Sequence, residues 1–248
     1  MYSRPRPKYD EEFLTTAYSV YDTESHHLQT RGKLDANERC LVERYKITIR
    51  QIVCHVGGVG RILDIGSATG LFLLAARESG WEVEGIDISP SMVAAAQEFF
   101  KLRTYCGQYH GVNTTDAGRF DAIYCSHVIE HIPNPNEWME KFRRDLKPNG
   151  VLCLNVPNQF SIDRRLKRGL KRLRLSREKW ALWRTPDHLY EPHLKPMQYL
   201  LGKHGFELID AFTYSSREKE QEGLADRFFH HHFKMGSKLR VFARSIER

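Results

Sequence analysis

Apolar and polar positions along the chain alternate between two rhythms. Short β-branched or alternating runs stand at Arg61–Ile65, Trp81–Asp87, Arg103–Cys106, Phe120–Ser126, Val151–Pro157, Phe206–Tyr214 and Lys238–Ile246, and each reads as a strand. Between them apolar residues recur every three or four positions. Leu41, Tyr45, Ile49 and Ile52 predict an amphipathic helix over 34–55, ended by Gly57 and Gly58. Leu71–Ser79 predicts a second, with Ser67 or Thr69 as its cap and Gly80 as its stop. Ser89 and Pro90 announce a third, running to Phe100, and Asn134 and Pro135 a fourth, running to Leu146 and stopped at Pro148–Gly150. Pro196–His204 reads as the last. Strands alternating with helices predict an α/β chain built on a doubly wound, mostly parallel sheet.

The first strand breaks at Gly66-Ser-Ala-Thr-Gly70, where small residues let the backbone turn tightly and approach a ligand. The next strand ends on Asp87. A right-handed crossover brings both features to the carboxyl edge of the sheet, where open α/β sheets bind ligands. Asp87 is placed there to accept from the hydroxyls of a ribose. A dinucleotide fingerprint would need glycines where Ala68 and Leu71 stand, so nicotinamide chemistry is disfavoured.

The sequence DIGSATG, followed by the acid closing the next strand, resembles the first and second motifs of class I S-adenosylmethionine-dependent methyltransferases. CSHVIEHIPNP and DLKPNGVLCLNVPN resemble the segments around the fourth and fifth strands of the ubiquinone-biosynthesis type of that family, so the likeness spans Arg61–Asn158. The resemblance implies a seven-stranded Rossmann-like sheet whose final strand inserts antiparallel. It also implies a site for S-adenosylmethionine, converted to S-adenosylhomocysteine, built from Asp64, Gly66, Ser67, Ala68, Thr69, Gly70, Asp87, Ile88, Met92, Gly107, Gln108, Ser126 and His127. Gln108 departs from the acidic residue common near the adenine. A similar segment at 185–207 places His188 and Tyr190 toward the acceptor, while His193 reads as structural.

The sulfonium makes methyl an activated electrophile, so a protein of this kind holds a nucleophile in line and excludes water. For a hydroxyl acceptor His131, His127 or His188 is the candidate base, because imidazole titrates near neutral pH. His131 reads equally as a residue that orders its loop. His127 and His131 are four apart and would share a helical face. No third ligand accompanies them, so no metal site is expected.

The net charge of +7 sharpens one region only. Nine Lys and Arg against two acids lie between Ser161 and Trp180, so this segment carries the whole excess. It forms a basic cap insertion, 159–186, after the fifth strand. Ile162, Leu166, Leu170 and Leu173 share a helical face, which suits a solvated cap or peripheral contact with an anionic membrane, and hence a lipid-linked acceptor. Nucleic acid is disfavoured, since aromatics do not interleave the basic run.

No apolar run is long enough to span a bilayer, and the start lacks a signal-peptide core, so a cytoplasmic enzyme, peripheral to membranes at most, is expected. Five cysteines without a CxxC pair suit reduced thiols, with Cys106, Cys125 and Cys153 in strands as core residues. Residues 1–9 read as disordered, and 9–30 as a helix covering the domain or a lid. The chain thus divides into an N-terminal tail and helical extension, 1–58, and a methyltransferase domain, 59–248. The function expected is methyl transfer to a small-molecule or lipid-linked acceptor, with O-methylation favoured. The alternative is a scaffold that binds S-adenosylmethionine without turnover.

Overall fold

The computed structural model describes residues 33–114, 119–158, 161, 189–190, 192–214 and 236–246. The N-terminal segment expected to cover the domain, the basic run from 162 to 180 and His188 lie outside the described residues.

The chain opens with α1 (Ala36–Val56), followed by β1 (Arg61–Ile65), α2 (Leu71–Glu78), β2 (Glu82–Asp87), α3 (Pro90–Phe100) and β3 (Arg103–Cys106). The second half holds β4 (Phe120–Ser126), α4 (Pro135–Asp145), β5 (Leu146–Pro157), α5 (Leu194–Lys203), β6 (Phe206–Tyr214) and β7 (Lys238–Ser245). Seven strands form one sheet in the order β3-β2-β1-β4-β5-β7-β6. All neighbours pair parallel except β7, which runs antiparallel to β5 and β6. This is the Rossmann-like architecture expected, including the antiparallel insertion of the last strand.

Side chains alternate across each strand, so the sheet has two apolar faces, as a parallel sheet covered on both sides requires. Ile62, Ala122, Tyr124, Cys153 and Phe242 face α1 and α2, where Tyr45 meets Phe72 edge-on and Phe72 stacks on Tyr124 at 3.8 Å. Leu63, Ile65, Ile123, Cys125 and Leu154 face the other way, onto Trp138, Met139 and Phe142 of α4 and Met197 and Leu201 of α5.

Several local expectations shift. Helix α1 starts later than its apolar periodicity suggests, because Asp35 and Glu38 form a reciprocal capping box: Asp35 Oδ1 accepts from the Glu38 amide at 2.8 Å and Glu38 Oε2 from the Asp35 amide at 2.6 Å. Neither Ser67 nor Thr69 caps α2. Gly70 stands at its N-cap in a left-handed conformation, φ 85°, with no side-chain hydrogen bond. Ser89 does cap α3, accepting from the Met92 amide, with Pro90 following it. Asn134 starts α4 without a side-chain bond to its backbone, and donates instead to Glu137 Oε1. Cys125 and Cys153 are buried, but Cys106 is exposed, because it ends β3 at the edge of the sheet. Among the described residues no helix is long and apolar enough to cross a membrane.

Candidate active site

Turns leave the carboxyl ends of β1, β2 and β4, and those after β1 and β4 are tied to a neighbouring strand. The amides of Gly66 and Ser67 donate to the Ile86 carbonyl, and that of His127 to the Asn155 carbonyl at 2.9 Å. The chain arriving from β3 is tied in the same way, the Gly107 amide donating to the Asp87 carbonyl. The loops are therefore set by the sheet itself. Gly66 needs to be glycine: φ is +78°, and a Cβ would stand 2.4 Å from Val128 Cγ2. The turn after β1 thus packs directly on the turn after β4, with Ala68 (φ 46°) and His127 (φ 57°) also left-handed.

These turns enclose a cavity of about 280 Å³, close to the lower end of the range for small-ligand sites. Of the residues expected at a cofactor site, Gly66, Ala68, Asp87, Ile88, Met92, Gly107, Gln108, Ser126 and His127 line it. Ser67, Thr69 and Gly70 do not; they shape the turn behind it, Ser67 and Thr69 being buried. Asp64 does not either. It alternates with Ile65, which lines the cavity, and so lies on the opposite face, beside Tyr124 in the strand register.

Asp87 is bonded on both oxygens, Oδ2 accepting from the Ala68 amide at 2.7 Å and Oδ1 from the Ser89 amide at 2.9 Å. A carboxylate offers about four lone-pair positions, so these bonds leave it able to accept from a ligand hydroxyl as well. Burial raises the Asp87 carboxyl above its ordinary range, and the amides of Ser89, Ala68 and Ile88 oppose that rise. For Asp64 burial, then the nearby charge of Asp87, pushes the carboxyl well above the ordinary value of 3.8. Its partner face is similarly perturbed: Tyr45 is pushed up to about 12, by burial first and by Asp64 second.

The histidine segment differs from expectation. His127 and His131 do not share a helical face, because Ile129–His131 is a single 3-10 turn entered from a left-handed His127. His127 lines the cavity, and His131 is not among its lining residues. His127 Nδ1 stands 3.2 Å from Glu130 Oε1, an acid that sequence reasoning passed over. The Glu130 side chain is fully buried, and neither its Oε2 nor His127 Nε2 has a partner among the described residues. Tyr109 and Trp138, also passed over, line the cavity, their rings 5.1 Å apart. The spacing of Trp138 and Phe142 signals a buried α4 face, which was the available clue. Among the described residues no group of three or more His, Cys, Asp or Glu side chains could hold a metal ion.

S-adenosylmethionine fits this constellation. The remaining acceptor capacity of Asp87 suits a ribose hydroxyl, Ile88, Met92 and Trp138 offer apolar walls for adenine, and the Gln108 amide can pair with the base edge.

Comparison with known proteins agrees. A ubiquinone biosynthesis O-methyltransferase of Coxiella burnetii is 31% identical over 103 residues, which cover 40% of this chain and 44% of that protein. The chain therefore matches less than half the length of that relative. Among solved structures, the [4+2]-cyclase SpnF superposes with a TM-score of 0.64 at 18% identity, covering 98% of this chain and 99% of that one. Magnesium protoporphyrin IX methyltransferase of Synechocystis, solved with S-adenosylhomocysteine bound, superposes with a TM-score of 0.59 at 14% identity, covering 94% and 98%. These two show the shared fold. The family model described as a methyltransferase domain matches residues 41–211, most of the chain, and with the glycine turn, Asp87 and the sheet order it places this protein in the methyltransferase-domain family, as a class I, S-adenosylmethionine-dependent member.

Proposed function

We propose that this protein transfers the methyl group of S-adenosylmethionine to a hydroxyl oxygen of a small-molecule or lipid-linked acceptor. One observation supports the reading: a single cavity is lined both by the turn that Asp87 closes and by the side of the segment after β4 that carries His127. The cofactor supplies a methyl already activated by a sulfonium. The protein's part is to hold the ribose through Asp87, to fix the adenine between Ile88, Met92 and Trp138, and to take up the proton that an attacking hydroxyl releases. His127 is better placed for that last role than His131, which does not line the cavity. The ubiquinone O-methyltransferase relative supports oxygen as the methylated atom. The division into an extension, 1–58, and a catalytic domain, 59–248, belongs to the same proposal.

A second reading is binding of S-adenosylmethionine without turnover. It is favoured by Gln108, which stands where an acid commonly holds the adenine, and by the general independence of function from fold. Two measurements separate the readings. Calorimetric titration with S-adenosylmethionine should give saturable binding that Asp87→Ala abolishes, and unchanged binding in the variant sinks the cofactor site. Incubation with methyl-labelled cofactor and fractionated metabolite and lipid extracts should then label a hydroxyl-bearing compound. Binding with no labelled fraction establishes the second reading.

A further inference from the structure

A second cavity lies apart from the cofactor site. It encloses about 360 Å³ and shares no lining residue with the first, although both use the segment after β4. That segment, 127–136, is a partition: His127, Val128 and Ile132 line the cofactor cavity, and Ile129, Glu130 and Pro135 line the other. Helix α5 supplies a further wall with Pro196, Met197 and Leu200, joined by Tyr190 and Pro192. These walls are fixed without a ligand. The Glu130 carbonyl accepts from the amides of Leu189 and Tyr190 at 2.8 and 3.3 Å, and the Tyr190 hydroxyl donates to the Pro133 carbonyl at 2.7 Å. Three prolines among the lining residues stiffen the backbone further. An apolar space held open in this way lacks contacts that an occupant of matching shape supplies, and little ordering is left to oppose binding.

The charge that a ligand can reach there has one sign. Tyr199 and Lys203 stand one turn apart on α5, both line the cavity and both are exposed, Tyr199 at 74%. Lys203 Nζ donates to Asn136 Oδ1 at 2.9 Å, and Asn136 is itself a lining residue, so the ammonium is held at the rim. This partner is neutral and takes one of the three donors an ammonium offers. Glu130 is the other charged lining residue, but its side chain is fully enclosed and its Oε1 lies 3.2 Å from His127 Nδ1, so it presents no surface to a ligand.

We infer that this second cavity binds an apolar molecule ending in a carboxylate, its body between Met197, Leu200 and the prolines and its head at Lys203. One reachable lysine matches one negative charge, which favours a carboxylate over a phosphate, and an alkylammonium would meet like charge. The site stands on its own walls, whether or not the protein transfers methyl.

The test titrates octanoate into protein whose methionine methyl groups are isotope-labelled for NMR. Met197 lines this cavity and Met92 the cofactor cavity, so each reports its own site, and Met197→Leu and Met92→Leu identify the two signals. Octanoate should move the Met197 signal saturably and leave Met92 in place, and octylamine should bind more weakly. Lys203→Met should weaken octanoate about two- to five-fold, the worth of an exposed ion pair. Lys203→Glu should reverse the order of the two probes. Leu200→Trp fills the cavity and should abolish the response. A Met197 signal unmoved by octanoate, octanoate that moves Met92 instead, or an order of affinities unchanged in Lys203→Glu overturns the inference. If Leu200→Trp does not fold, the variants at the exposed Lys203 decide.

Discussion

Asp87 and Ala68 form one unit: the carboxylate that ends β2 accepts the amide in the middle of the turn after β1, at 2.7 Å. The acid does two jobs, closing a left-handed turn and facing the cavity. Asp87→Asn keeps the shape but loses the charge, and its amide nitrogen cannot accept. It should weaken S-adenosylmethionine by about 1.5–3 kcal/mol, the worth of one charge-assisted hydrogen bond, or roughly ten- to a hundred-fold in Kd by calorimetry. Asp87→Ala frees the Ala68 and Ser89 amides as well and should bind less than Asp87→Asn. Equal affinities for the two variants would show that the carboxylate acts on the ligand alone.

Gly66 lies against Val128, and the contact couples two of the turns that line the cavity. Gly66→Ala places a methyl in that contact and a side chain at positive φ, at a combined cost of about 2–4 kcal/mol. Melting should fall about 2–4 °C for each kcal/mol. In a Val128→Ala background the steric part disappears and only the backbone part remains, so the same substitution should cost about 1–2 kcal/mol. Strict additivity in this double-mutant cycle would remove the contact from the account.

The strand bounds at Arg61–Ile65 and Phe120–Ser126 are legible in the sequence because central strands buried on both faces leave apolar runs between turn residues, and those at Arg103–Cys106 and Phe206–Tyr214, the two edge strands, because polar and apolar residues mix there in short runs closed by turn residues. The glycine turn and Asp87 are legible for a different reason: a tight turn beside a ligand restricts which residues can stand there. What the sequence hides is set by contacts between distant segments. The spacing of His127 and His131 suits a helix, yet the Asn155 carbonyl captures the His127 amide and leaves only a 3-10 turn. Asp64 sits one residue from the cavity and faces away from it, which only the strand's side-to-side alternation decides. Glu130 looks like a surface acid until its neighbours enclose it.

The raised carboxyl of Asp64 makes stability depend on pH with a definite sign. Its folded pKa lies above the unfolded value of 3.8, so the native state keeps a proton that the unfolded chain releases. The stabilisation is complete below that value and is lost as pH rises through the folded pKa. Asn is neutral throughout and nearly the same shape. Asp64→Asn should therefore gain stability relative to wild type as pH climbs from about 4 toward 8, followed by urea unfolding. Asp87→Asn removes the second cause of the shift and should move the upper end of this window to lower pH. A pH-independent difference between wild type and Asp64→Asn would refute the assignment.

Beneath the cavity, Asn155 joins three strands and a helix. Its Oδ1 accepts from Arg240 Nε at 2.8 Å, and its Nδ2 reaches the Tyr124 hydroxyl at 2.7 Å and Ser126 Oγ at 3.3 Å. Arg240 extends the chain to Gln51 of α1, and Ser126 lines the cavity. Asn155→Leu takes an acceptor from a buried guanidinium and a donor from two hydroxyls, and should cost about 2–4 kcal/mol in urea unfolding. Asn155→Asp should cost less. It restores an acceptor for Arg240, now charged, and both hydroxyls can rotate to donate to it. Burial holds the Tyr124 hydroxyl well above its ordinary pKa, so its proton stays available for that bond. An Asn155→Leu protein as stable as Asn155→Asp would show that this network contributes no stability. With the order as expected, Asn155→Leu should also raise KM for S-adenosylmethionine more than Asn155→Asp does, because Ser126 loses its support at the cavity wall.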